Sequence, residues 1–360
     1  MTVEFNWFLP TNGDGRHLTD NSSVQGLRRR AHREPEADYL LQIARVAEAV
    51  GFHAALLPTG ASCEDGWLTA AALAQETQRL KFLVAFRPGL ELPAYAAQKV
   101  ATLQAFTEGR LLLNVVSGGD QDQQEAYGDF VGHDERYNRT AEFLQAVRQV
   151  WRGPGQNYDG QYFQLENGGL NHALTETPTV YFGGASAPAE RVAASEADVY
   201  LLWGETPAMV RDRIQHMKAL AREEGRQLRY GLRLHVIARR TEDEAWSEAD
   251  RLWRELSPET IAIARASLMN SQSVGQARML DLTPGTTAYQ VRDLEVAPHL
   301  WAGVGLVRGG AGTALVGDYD QVASCLQEYR DLGIDTFILS GYPNLEEAWR
   351  VGENVIGRVN

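Results

Sequence analysis

Cysteine is scarce: Cys63 and Cys325 are the only two in 360 residues, and they lie far apart. That excludes a disulfide framework and a paired-thiol zinc site, so no metal is expected, and it suits a reducing, cytoplasmic compartment. Positive charge is also in short supply, with 34 lysines and arginines against 47 acidic residues and a formal net charge of -13. Nucleic acid and anionic membrane surfaces both reward basic proteins, so neither is expected as a partner. A small anionic ligand would need a locally basic pocket. No apolar run approaches membrane-spanning length. The first ten residues, Met1 to Pro10, lack both the charged start and the long apolar stretch of a secretory signal.

What is present is an ordinary globular composition, 44% hydrophobic and 22% charged, long enough to bury a large core. Short apolar runs read as strands at Glu4–Leu9, His53–Leu57, Leu80–Phe86, Leu111–Val116, Thr179–Phe182, Val199–Leu202, Arg229–Ala238 and Thr336–Leu339. Helical spacing recurs between them, as in Tyr39–Val50, Ala94–Phe106, Tyr137–Trp151, Pro188–Ser195 and Pro207–Glu224. Eight strand–helix units in one chain match a TIM (β/α)8 barrel, an α/β fold whose active site sits at the carboxyl ends of the strands. The chain therefore reads as one domain over residues 1–360, with insertions at about 11–36, 153–178 and 240–316. Asn157-Tyr-Asp-Gly and Asn167-Gly-Gly predict a hairpin in the second insertion. In the third, Glu242–Leu256 and Pro258–Ser267 read as helices, and Asn270–Thr287 as a polar, mobile segment.

The glycine-rich stretch from Leu300 to Asp318 carries a single cation, Arg308, among apolar neighbours. It can be a buried strand with a structural glycine turn, or a loop that closes a pocket and delivers Arg308 as an anion clamp; the lid region would span about 270–316. On the strand Tyr230–Ile237, Arg233 and His235 alternate with Leu232, Leu234 and Val236, which puts the guanidinium and imidazole on one face. Barrel interiors are normally branched and apolar, so two such groups are costly there unless they line a site. Trp203 and Tyr342 follow strand ends and suit the walls of a small-molecule pocket, although either can be packing. Gly183-Gly184-Ala185-Ser186 ends one strand and opens a helix, which offers backbone donors to a phosphate; His133 and Tyr137 can add further donors. Cys63 follows the second strand without an evident histidine–carboxylate partner, which weighs against a nucleophile, and Cys325 reads as helix packing. The basic tract Arg28-Arg29-Arg30-Ala-His32-Arg33 is either a solvated loop or an attractor for an anionic substrate.

These residues together resemble the bacterial luciferase-like flavin monooxygenases, and specifically the two-component FMNH2-dependent alkanesulfonate monooxygenases. The resemblance runs through Trp7-Phe-Leu-Pro-Thr11, Pro58-Thr-Gly with Ser62-Cys63-Glu-Asp65, Leu80–Ala85 with Arg87-Pro88, Arg233–Ile237, Leu300–Asp318 and Leu339–Pro343. It implies a luciferase-like barrel that takes reduced FMN from a separate NAD(P)H-dependent FMN reductase and uses O2 to split a carbon–sulfur bond. The products would be an aldehyde and sulfite. It places Arg233, His235, Arg308, Tyr342, Trp203 and Cys63 at the active site, with Gly184, Ala185, Ser186, His133, Tyr137 and, more weakly, Ser117 around the FMN phosphate. It further implies a homodimer or homotetramer. Two departures, the long basic loop from Asp20 to Pro35 and Asn344 where alkanesulfonate enzymes commonly carry histidine, make a hydroxylated sulfonate such as sulfoquinovose a competing substrate. The same fold could also serve a deazaflavin-dependent oxidoreductase, or a protein that binds flavin or sulfonate without catalysis. Retention of Arg233, His235 and Arg308 together argues against mere storage.

Overall fold

A computed structural model describes residues 3–20, 22, 24, 27, 33–283 and 290–359. The cluster Arg28–Arg30 with His32, and residues 284–287 of the polar segment, lie outside the described residues. Strands β1 (Glu4–Phe8), β2 (Ala54–Leu57), β3 (Lys81–Phe86) and β4 (Leu111–Val115) alternate with helices α1 (Ala37–Ala49), α2 (Gly66–Ala74) and α3 (Pro93–Thr107). A short helix α4 (Gln121–Ala126), not anticipated from sequence, precedes the long α5 (His133–Trp151). The hairpin expected in the second insertion is β5 (Gln156–Asp159) with β6 (Gln164–Gly168), paired antiparallel. Then come β7 (Val180–Gly183), α6 (Ala187–Glu196), β8 (Val199–Trp203), α7 (Pro207–Glu223) and the eleven-residue β9 (Arg229–Arg239).

The third insertion is more regular than its composition suggests. It holds α8 (Glu242–Arg254), α9 (Pro258–Met269) and α10 (Val274–Asp281), then the short strands β10 (Glu295–Ala297), β11 (Leu300–Trp301) and β12 (Ala314–Asp318). The stretch from Asn270 thus contains a helix, started by Ser273, whose hydroxyl accepts from Gln276 N. Helix α11 (Tyr319–Asp331), β13 (Thr336–Ser340) and α12 (Asn344–Asn354) complete the chain.

Parallel pairing runs β9–β13–β1–β2–β3–β4–β7–β8 and returns to β9, which closes an eight-stranded barrel. Phe8, Leu56, Leu83, Leu112, Tyr181, Val199 and Ile338 fill its interior, and the opposite faces of the strands pack against the helices. The amino-terminal mouth is plugged by charge: Arg229 donates to Glu4 Oε2 at 2.7 Å and to Asp335 Oδ2 at 3.2 Å. Burial opposes ionisation of Glu4, but the Arg229 hydrogen bond and the nearby cations hold it below the usual carboxylate range.

Strand β9 does two jobs. Its first half pairs with β8 through Arg229–Arg233, and from His235 to Arg239 it pairs with β12 instead. Gly204 N donates to the Arg233 carbonyl at 2.9 Å and His235 N to the Thr313 carbonyl at 2.9 Å, so β12 takes over the edge that β8 leaves. Strands β11 and β10 add to β12 antiparallel. In the glycine-rich stretch Trp301, Val304 and Val307 are fully buried, and the turn between β11 and β12 carries Arg308. Gly305 and Gly312 allow that turn: Gly305 N donates to the Gly312 carbonyl at 2.8 Å, and a Cβ on Gly312 would stand 2.7 Å from Gly305 Cα. No helix among the described residues is long and apolar enough to cross a membrane.

Candidate active site

At the carboxyl ends of β9 and β13, Ser340 is in register with His235 and Ile338 with Arg233. The strand period turns Arg233, His235 and Ser340 toward the barrel axis, as their alternation in sequence predicts. Arg233 donates to Ser340 Oγ at 2.8 Å and to the Leu234 carbonyl at 2.6 Å, with its guanidinium 4.9 Å from the Phe8 ring centre. Ser340 Oγ lies 2.7 Å from His235 Nδ1, and His235 Nε2 lies 3.1 Å from the Ala311 carbonyl oxygen. A carbonyl can only accept, so the network assigns the ring proton to Nε2. Nδ1 then accepts from the Ser340 hydroxyl, whose oxygen accepts from Arg233.

Arg308 arrives from the turn after β11. Its Nη1 donates to the Tyr342 hydroxyl at 2.8 Å, and its guanidinium lies 5.7 Å from the Phe8 ring centre. The Tyr342 ring in turn stacks on His235, with centroids 5.5 Å apart and planes 20° from parallel. Four residues singled out from sequence, Arg233, His235, Arg308 and Tyr342, are thus in one connected group, with Phe8 beneath them and Ser340 as the link that sequence reasoning missed.

The electrostatics of this group favour a negative guest. Burial first, and then the like charge of Arg308, push the Arg233 pKa to about 9, which leaves it cationic at neutral pH. His235 is 2% exposed, and burial together with the charges of Arg233 and Arg308 holds its pKa well below the ordinary histidine value. The imidazole is therefore neutral, and both of its nitrogens are engaged. Two guanidinium groups beside a neutral ring in a low-dielectric setting reward the arrival of an anion.

Trp203 ends β8 and is half-buried, and α10 passes over it: a Cβ on Gly275 would lie 3.1 Å from its ring. Helix α10 is fastened there by Arg278, which donates to Glu205 Oε2 at 2.6 Å, and by Gln276, whose Oε1 accepts from Gly310 N at 3.0 Å. Cys63, in the loop between β2 and α2, feels the charges of Arg308 and Arg87, but burial dominates and raises its pKa. It stays a neutral thiol, which agrees with the reading against a nucleophile. Arg87, 8% exposed, borders the same loop and donates to Gln123 Oε1 at 2.7 Å. Only the Arg87-Pro88 motif hinted at it, because its partners lie on α4.

The residues chosen for a phosphate form a second group at the ends of β7 and the starts of α5 and α6. Tyr137 faces Ser186, and burial raises its phenol pKa. Its ring lies 5.1 Å from His133. Ser186 caps α6 by accepting from Ala189 N, and Gly184, at φ +140°, leaves space that a Cβ would fill, 2.6 Å from Ala189 Cβ. His133 Nε2 is buried without a hydrogen-bond partner, although Nδ1 meets Asp134 at 2.7 Å. Two helix amino termini, an orphan ring nitrogen and a glycine cradle beside Ala185 are suited to an oxyanion such as a cofactor phosphate. Ser117 sits below this group with its hydroxyl already 2.9 Å from Thr140 Oγ1. Among the described residues, no cluster of histidine, cysteine and carboxylate side chains can hold a metal ion.

Asn344 stands just past the carboxyl end of β13, at the start of α12. It is 3% exposed and turned into the wall, donating from its backbone N to Asp14 Oδ2 at 2.8 Å and from Nδ2 to Asp14 Oδ1 at 3.2 Å. Arg33, the described end of the basic tract, is paired with Glu346 at 2.5 Å.

Similarity to known proteins agrees with this geometry. Solved structures of the same shape include a riboflavin lyase with modified FMN and riboflavin (19% identity over 99% of this chain and 91% of that one, TM-score 0.79). An EDTA monooxygenase from Chelativorans sp. BNC1 matches at 19% identity over 100% and 94%, with a TM-score of 0.76. A long-chain alkane monooxygenase matches at 20% over 100% and 91%, with a TM-score of 0.79. At such identities these likenesses speak for the fold alone. The sequence profile of the luciferase-like monooxygenases, however, matches residues 3–336, and the chain belongs to that family.

Proposed function

We propose that this chain is an FMNH2- and O2-dependent monooxygenase that cleaves the carbon–sulfur bond of an alkanesulfonate to give an aldehyde and sulfite. The observation that carries the reading is the convergence of Arg233 and Arg308 on one aromatic-walled mouth, where burial and the like charge of Arg308 leave the Arg233 guanidinium favouring an anion. A sulfonate remains anionic at all physiological pH values and matches that demand. Phe8, Trp203 and Tyr342 offer apolar surface to an alkyl chain, whereas Asn344 is committed to Asp14. We therefore favour an alkyl substrate over sulfoquinovose.

His133, Tyr137, Ser186 and the backbone of Gly184 and Ala185 would hold the FMN phosphate, which fits the orphan His133 nitrogen and the space beside Gly184. Reduced FMN, delivered by a separate NAD(P)H-dependent reductase, supplies the electrons that activate O2. In the balanced reaction one oxygen atom becomes the aldehyde oxygen and the other leaves in water. The carbon–sulfur electron pair departs with sulfite and a proton is released. The protein's own residues position and shield: Arg233 and Arg308 fix the sulfonate, Arg308 orients the Tyr342 hydroxyl, and Ser340 holds His235 neutral beside them. Helix α10 over Trp203 excludes water.

The test is sulfite release with FMN, a flavin reductase and NADH, offering methanesulfonate, octanesulfonate and sulfoquinovose in parallel. Preference for octanesulfonate supports the reading. Preference for sulfoquinovose would replace the alkyl substrate with a sulfo-sugar, and no sulfite from any of them would sink desulfonation.

A further inference from the structure

Gln276 is 4% exposed, and its two amide atoms have unequal fates. Oε1 accepts from Gly310 N at 3.0 Å, while Nε2 is buried without a hydrogen-bond partner. The opposite amide orientation would set an NH2 group against an N–H, so the bond to Gly310 fixes which end is left over. A buried donor without an acceptor is costly, by enough that native proteins seldom keep one for packing alone. The location gives it a use. Gly275, the preceding residue, lies over Trp203; Gly310 is two residues past Arg308 and adjoins Ala311, whose carbonyl accepts from His235.

We propose that Gln276 is a substrate-recognition residue, donating from Nε2 to an oxygen of the anionic head group that Arg233 and Arg308 hold, so that the roof helix reads the same oxyanion as the barrel. This rests on the reading of the mouth as an anion site. It commits the head group to being an acceptor on its roof side: a sulfonate or carboxylate satisfies Nε2, and an ammonium does not.

The test compares Gln276→Glu with Gln276→Ala in the FMN-loaded enzyme, using 1-octanesulfonate and octanoate as probes and tryptophan fluorescence as the signal. Glu keeps an acceptor for Gly310 N–H but replaces the donor with a negative charge; Ala removes both. If Nε2 reads the anion, Ala should raise the Kd for octanesulfonate about tenfold and Glu about 100-fold, with FMN affinity unchanged. In turnover the loss should appear in KM more than in kcat. A purely structural role predicts the reverse order, with Glu close to wild type and Ala impaired, and that result overturns the inference. Wild-type binding of octanoate but not octanesulfonate, with the same order of variants, would keep Gln276 as the reader of an oxyanion while removing the sulfonate reading. If neither anion binds the wild-type enzyme, both fall.

Discussion

The proton assignment at His235 makes a quantitative prediction about stability. In the folded protein the imidazole is walled in, donates to Ala311, accepts from Ser340 and faces two cations, so it resists protonation. In the unfolded chain it should titrate near the ordinary value of about 6.5. A histidine whose folded pKa is depressed lets the unfolded state bind a proton the native state refuses, so stability is lost as pH falls through the unfolded value. Between pH of about 7 and about 5.5, one such group should cost about 1.2 kcal/mol. Asp14 and Glu347, both raised by burial, contribute in the opposite sense. The comparison with His235→Gln isolates the site, because glutamine can occupy similar space and does not titrate. Urea unfolding of both proteins across that pH range should show the stability gap between wild type and variant shrinking by about 1 kcal/mol toward acid. A gap independent of pH would mean that His235 takes up a proton while folded, and would refute the neutral tautomer assigned by Ser340 and Ala311.

Three further outcomes are expected. Arg308→Met should raise KM for octanesulfonate about 100-fold, from the loss of a charge-assisted bond, while FMN binding by fluorescence titration stays unchanged; a change confined to FMN affinity would move Arg308 out of the substrate site. Gly184→Val should weaken FMN binding at least about tenfold, because any Cβ there meets Ala189 at 2.6 Å in a backbone conformation that L side chains avoid. Unaltered titration would remove this turn from the cofactor site. Glu4→Gln, at the opposite mouth, should lower stability by about 1–2 kcal/mol, a value reduced by the partial exposure of Arg229, and leave kcat/KM intact. Loss of activity in a well-folded Glu4→Gln protein would contradict the separation of the two ends.

The barrel was legible because its signal is local and periodic. Every strand proposed from sequence has a counterpart, since buried parallel strands must be short apolar runs and their connecting helices must carry a stripe. Arg233 and His235 were legible for the same reason, as polar intruders on an inward face. What stayed hidden depends on contacts across long sequence distances. Helix α10 has too little apolar pattern to announce itself and is held by Glu205 and Gly310, neither of them near in sequence. Asn344 stood out because the resembling enzymes carry histidine there, and its amide serves Asp14, a partner 330 positions away. Ser340 and Gln276 are small or neutral side chains of a kind that composition cannot flag, and only the network identifies what they do. The glycines near Arg308 suggested a loop, whereas two of them permit a close backbone crossing.

Strand β9 has an implication for how such an enzyme can change its diet. Residues up to His235 complete the cylinder, and residues from His235 to Arg239 template the small sheet from which Arg308 projects. The border between the two runs across one strand, where main-chain hydrogen bonds, indifferent to side-chain identity, join them; the side-chain ties Arg278–Glu205 and Arg308–Tyr342 cross it elsewhere. The segment between Arg239 and Asp318 can therefore be exchanged as a cassette when the partners of those two ties are kept, with these paired residues as splice points. Chimaeras built at that seam should inherit their appetite from the donor and their barrel from the host.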